Sequence, residues 1–159
     1  MLRQYVLNTV ILLLLLGFKI APKDSQGQTL NSNLEKVALI NEISDLFNNS
    51  FQAADKVGCS ISLQGKVAEW DSLAKFSIQY QLYEIDWQNA EIIIESREMA
   101  MIEANCIAQE HCITGTDAKN KKHFYRNASF FGMPVSEIQK LEIIRSNLIR
   151  LKQIEDKKF

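Results

Sequence analysis

The chain has 159 residues, with 18 basic and 19 acidic side chains, 47% apolar residues, three cysteines and two prolines. This is a globular composition, and its near-zero charge excludes a nucleic-acid-binding surface of the usual basic kind. The length suits one domain with a substantial core.

The N-terminus reads as a targeting segment. Arg3 precedes a charge-free run over residues 5–18, apolar from Val10 to Leu16, and Lys19 closes it. A short basic region before an apolar stretch of this length predicts a secretory signal peptide. A membrane-spanning helix needs roughly 20 apolar residues. Small residues at Ser25 and Gly27 place the predicted cut after Gly27, since Pro22 disfavours a cut after Ala21. Residues 1–27 are therefore the predicted signal, and the mature chain carries a net charge near −3. An uncleaved signal anchor, tethering the protein to a membrane, is the alternative. With the signal removed, no stable membrane span is expected, and the location is periplasmic or secreted.

Residues 28–32 are polar and predict a flexible lead into a single domain over 33–153. Ser32-Asn33-Leu34-Glu35 has capping-box spacing. Leu34, Val37, Ile40, Ile43 and Phe47 then recur at helical steps to a stop near Asn48-Asn49. The period next switches to two. Cys59, Ile61 and Leu63 alternate with polar residues, Gln64-Gly65 turns, and Phe76, Ile78, Tyr80 and Leu82 alternate again. Residues 83–87 continue or bend that strand. Further strands are predicted at 92–94, 99–106, 112–114 and 123–131. Ser136 and Gln139 have a second capping-box spacing, and Ile138, Leu141, Ile144, Leu148 and Leu151 form an apolar stripe. Residues 154–159 read as a loose charged tail. A run of six or seven strands flanked by helices predicts an α+β fold rather than a parallel βαβ sheet.

The segment 59–151 resembles small exported bacterial domains with a pleckstrin-homology-like arrangement. The likeness is carried by Tyr83-Glu84-Ile85-Asp86-Trp87, by 102–113 with its two cysteines, by the strand 123–131 and by the closing helix from Ser136. It implies a bent antiparallel sheet or partial barrel capped by the C-terminal helix, with the N-terminal helix as an addition. That family has no established function, so the resemblance implies a fold and a location. A cystatin-like helix and meander is the second fold reading, which the closing helix fits poorly.

Chemistry is sparse. Cys106 and Cys112 flank a candidate hairpin, and an exported protein meets an oxidising compartment. A disulfide and two reduced core thiols are the main readings. A metal site on Cys106, His111 and Cys112 is a third, without a recognisable ligand spacing. Cys59 alternates with apolar residues and reads as a buried small hydrophobe. His111 and His123 are the only histidines, and nothing in the sequence requires either to pair with a thiol. Glu84, Asp86, Glu91, Glu95, Glu98 and Glu103 are scattered, as solvated strand faces are. Lys119, Lys121, Lys122, His123 and Arg126 read as a solvated hairpin loop. Asn48-Asn49-Ser50 and Asn127-Ala128-Ser129 match the glycosylation triplet, which is common by chance. Trp70, Tyr83 and Trp87 are the candidate interaction patch, because amphipathic aromatics favour interfaces.

The reading is an exported non-catalytic domain that binds a protein, peptide or lipid, with no cofactor or metal. The alternative is a small ligand-binding protein or enzyme using a pocket on the sheet, with Glu84, Asp86 or His123 as its chemistry.

Overall fold

The computed structural model describes residues 24–50, 57–72, 74–108 and 110–157, with side chains from residue 30 onward. The apolar run of the predicted signal lies outside the described residues. Helix α1 spans Asp24–Asn48. It therefore starts before the predicted cap, and residues 28–32, expected as a flexible lead, are helical. No proline interrupts this stretch, and a nucleated helix propagates easily. Among the described residues no helix is long and apolar enough to cross a membrane.

The eight described strands are β1 (Val57–Ile61), β2 (Lys66–Asp71), β3 (Phe76–Gln81), β4 (Glu91–Ile94), β5 (Met99–Asn105), β6 (Ile113–Thr116), β7 (Lys122–Tyr125) and β8 (Asn127–Pro134). Helix α2 (Ile138–Asp156) closes the chain. The α+β class holds, but the single bent sheet does not. The strands form two open antiparallel sheets, ordered β1-β2-β3-β6-β7 and β4-β5-β8.

Two local features account for the difference. β2 was not anticipated, because its buried positions are Val67 and the charged Glu69. The expected strand over 123–131 breaks at Arg126, so that β7 pairs with β6 and β8 crosses to pair with β5. The Cys106 N–H donates to the Arg126 carbonyl at 2.7 Å and fixes that crossing. Residues 83–87 are not strand either. Two short 3-10 turns, Leu82–Glu84 and Trp87–Asn89, carry the chain out of β3. Asp86 accepts from the Asn89 N–H and caps the second turn. Glu84 and Asp86 therefore do not share a strand face.

Cys106 and Cys112 form a disulfide with Cα atoms 5.9 Å apart. They are not the mouths of a hairpin, since β5 and β6 belong to different sheets. The bond closes the loop by which the chain passes between sheets. A loop this short removes little chain entropy, so replacing both cysteines with Ala is expected to cost about 2 kcal/mol in urea unfolding. Both thiols should resist alkylation until a reductant is added. Cys59, the buried free cysteine, should react only on unfolding.

Ser32–Phe159 is one compact unit. The expected stripe of α2 is buried: Leu141, Ile144, Leu148 and Leu151, continued by Ile154. Residues 154–156, expected as loose tail, are thus helical. On α1, Ile40, Ile43 and Phe47 are buried, whereas Leu34 and Val37 are 61% and 38% exposed. The inward face instead carries Lys36, only 5% exposed. Its ammonium lies 5.0 Å from the centre of the Tyr83 ring and 3.0 Å from Glu155 Oε2 on α2. Burial works to lower the Lys36 pKa, but Tyr83 and Glu155 outweigh it, and the net direction is upward. Arg150 to Glu35 at 2.6 Å and Asn147 to Glu42 at 3.0 Å continue the contact between the helices. Solvent screens these exposed contacts, so they orient the helices more than they stabilise them. Between the sheets and helices sit the aromatic rings of Phe47, Tyr80, Trp87, Phe130 and Phe131.

Candidate functional site

β2 runs through the first sheet with Val67 and Glu69 facing inward, beside Ile78 and Tyr80 of β3. Glu69 is 8% exposed, and a charge so placed must find partners. Tyr80 Oη donates to Glu69 Oε1 at 2.7 Å, and the Phe131 N–H donates to Oε2 at 2.7 Å. Glu69 therefore ties the first sheet to β8 of the second. Cys59 is its register partner on β1.

Phe131 reaches Glu69 through a bulge. The β5–β8 register skips between Ala100–Met133 and Ile102–Phe130, leaving Phe131 and Gly132 opposite Met101. Phe131 has φ +52°, the left-handed region that bulky residues avoid. Such a conformation costs on the order of 1–3 kcal/mol. The bulge lets two consecutive rings be buried. Phe130 packs edge-on to Tyr80 at 4.7 Å, and Phe131 packs edge-on to Phe47 at 5.5 Å. The N–H released from the ladder is the one that Glu69 accepts.

Burial pushes the Glu69 carboxyl up to about 7, against the two hydrogen bonds that favour its anion. Burial also raises the Tyr80 phenol and the Cys59 thiol, and the neighbouring Glu69 charge adds to both shifts. Cys59 is thus held as a thiol, which is a poor nucleophile.

Glu69 lines a cleft of about 340 Å³ that both sheets and α1 enclose. Phe47, Val57, Ile78, Met99 and Met101 give it apolar walls, and Gly132 leaves room beside the two methionines. Trp70 and Phe76, 38% and 39% exposed, stand at its mouth. The Trp70 indole lies across Gly58, where a Cβ would meet the ring at 2.4 Å. Asp71 and Glu95 add two more carboxylates to the lining. The combination of cavity, buried carboxyl and strained backbone is what a ligand site presents.

The predicted aromatic patch does not assemble. Trp70 lies at the cleft. Tyr83 lies beyond the far end of β3, where its ring covers Gly65 and meets Lys36. Trp87 is fully buried, and its Nε1–H donates to the Leu82 carbonyl at 2.7 Å. The 3-10 turns cause this separation by rolling Trp87 into the core. His123 does not face the cleft. It bonds Asp117 Oδ2 at 3.0 Å within the β6–β7 turn, where Asp117 Oδ1 also accepts the Lys119 and Lys121 N–H groups. That His123 contact is the first cause of the lowered Asp117 pKa. The basic cluster is thus a hairpin turn organised by Asp117. His111 lies on the disulfide loop with Ile107 and Glu110, away from the cleft. Among the described residues, no group of three His, Cys, Asp or Glu side chains is disposed to hold a metal.

Glu69 and Phe131 were missed from sequence, and Tyr80 was read only as a core or rim residue. The usable signals were a charge at an inward position of an alternating segment, and the Phe130-Phe131 doublet that breaks alternation in β8. No family model matches the chain, and no curated protein or solved structure shows significant similarity to it.

Proposed function

We propose that this protein is an exported, non-catalytic binding module that takes a small, largely apolar ligand into the Glu69 cleft. The observation that carries this reading is the cleft itself: apolar walls converging on one buried, hydrogen-bonded carboxyl. The alternative of a pocket on the sheet is thereby preferred to a flat aromatic patch. The Cys106–Cys112 bond supports an oxidising compartment, in keeping with the charge-free run over residues 5–18. Catalysis is not proposed, since the thiol beside Glu69 is held protonated and neither histidine lines the cleft.

The test is titration with the neutral fluorophore N-phenyl-1-naphthylamine. Saturable binding is expected for the mature chain. Gly132→Leu fills the cleft, and a Cβ there makes ordinary contact with the Met99 and Met101 methyls, at 3.4 and 3.9 Å. That variant should fold and bind at least about tenfold more weakly. Equal binding by both chains, or no saturable binding at all, would remove the reading.

A further inference from the structure

The described lining of the cleft is apolar in its walls, and its charged residues are all acidic. Glu69, Asp71 and Glu95 line it, and none of its described lining residues is Lys, Arg or His. The carboxylates are not gathered into a metal-binding group. The complement to such an arrangement is a cation with a body of its own rather than a bare ion. From this we infer that the ligand is an organic cation, an ammonium head on an apolar body, with its head at Glu69. This rests on the proposal that the cleft is a ligand site.

Two further features fit an ammonium better than a neutral group. A carboxylate offers about four lone-pair positions, and Tyr80 and the Phe131 N–H fill two at Glu69. The remaining capacity is for acceptance only, so a donor is required. An ammonium presents three donors and no acceptor. Trp70 and Phe76 put two aromatic rings in the lining, a side-chain type that attracts cations. The Met99 and Met101 side chains are soft and adaptable, and suit an alkyl or aryl body of variable shape. A buried ammonium needs a fixed counter-charge, because desolvation alone would expel it. Glu69 is held in place by strands from both sheets and supplies one without rearrangement. A carboxylate-bearing ligand would meet the like charge of Glu69 and should be rejected.

The experiment compares three congeners of equal length, n-hexylammonium, hexanol and hexanoate, by calorimetric titration at pH 8 and low salt. Hexylammonium is expected to bind at least about tenfold more tightly than hexanol, and hexanoate most weakly. In Glu69→Gln the ammonium should lose its advantage over the alcohol. Equal affinity of the native chain for ammonium and alcohol would overturn the cation assignment and leave the cleft as a ligand site. A preference that survives Glu69→Gln would overturn it as well. Failure of all three congeners, together with failure of the neutral fluorophore, would remove the site itself. If Glu69→Gln does not fold, the comparison in the native chain decides alone.

Discussion

A Trp87→Ala chain is expected to lose about 4 kcal/mol of stability, enough to leave it close to unfolded at room temperature. The indole is wholly buried and meets Phe130 at 5.2 Å, Tyr80 at 6.1 Å and Phe131 at 6.5 Å between ring centres. Truncation removes its apolar transfer energy and opens a cavity that the two sheets cannot both close upon. It also removes the shorter of two hydrogen bonds to the Leu82 carbonyl, the Nε1–H at 2.7 Å, and leaves only the Ile85 N–H at 3.4 Å. A hydrogen bond lost in this way costs about 1 kcal/mol net. Trp70→Ala is the control. Trp70 is 38% exposed and covers only Gly58 and the cleft mouth, so it should cost about 1 kcal/mol. Urea unfolding followed by far-UV circular dichroism measures both. A loss below about 2 kcal/mol for Trp87→Ala would mean that the aromatic core is not the centre of this fold.

The same two tryptophans show where sequence reading works and where it stops. The stripe of α2 was legible because a helix presents a fixed face, and Leu141, Ile144, Leu148 and Leu151 obey its period. The disulfide was legible as a pairing from two thiols in a chain whose N-terminus reads as a signal peptide. Its role was not, because sheet membership depends on strand pairing rather than on spacing. Trp87 looked like a surface aromatic on a strand that continued from Tyr83. Period-two counting cannot register a chain that leaves the strand for two 3-10 turns. The face of α1 was misjudged by part of a turn because its apolar stripe, which starts at Leu34 and Val37, was taken as the inward face, and the buried Lys36 does not belong to that stripe. The Tyr83 ring and Glu155, distant in sequence, make its burial affordable. β2 and Glu69 failed for a related reason. Alternation identifies apolar-in and polar-out, so a strand whose inward residue is a carboxylate looks like a loop. The hydrogen bonds that make Glu69 tolerable come from β3 and from a bulge 62 residues away. The candidate site was therefore the least legible part of the molecule, as expected where a fold departs from local consistency.

Glu69 gives the second large effect, and it is one of pH. Its carboxyl titrates at about 7 in the folded protein against 4.5 when unfolded. Between those values the folded state keeps a proton that the unfolded state has released. Stability must then fall as pH rises through this window, by about 1.4 kcal/mol per pH unit and about 3 kcal/mol in all. The Asp117 shift has the opposite sign. Its lowered pKa contributes stability that is lost as pH falls, below the ordinary Asp range near 3.8, and so acts under this window. The raised Lys36 and Cys59 values act above it, from 10.5 and 9.0 upward. Glu69→Gln isolates the effect. The amide oxygen can accept from the Phe131 N–H, and the amide nitrogen can donate to a Tyr80 hydroxyl turned to accept. No charge then needs to be buried. The variant should match the native chain within about 1 kcal/mol at pH 5 and exceed it by about 2–3 kcal/mol at pH 8. The measurement is a set of urea midpoints from pH 5 to 8 for both chains. Parallel pH profiles would show that Glu69 stays ionised throughout, fully compensated by Tyr80 and the Phe131 N–H. Profiles that meet near pH 5 and separate toward high pH, with the native chain falling, would identify a carboxyl kept at a cost to the fold, which is what a site held ready for a ligand requires.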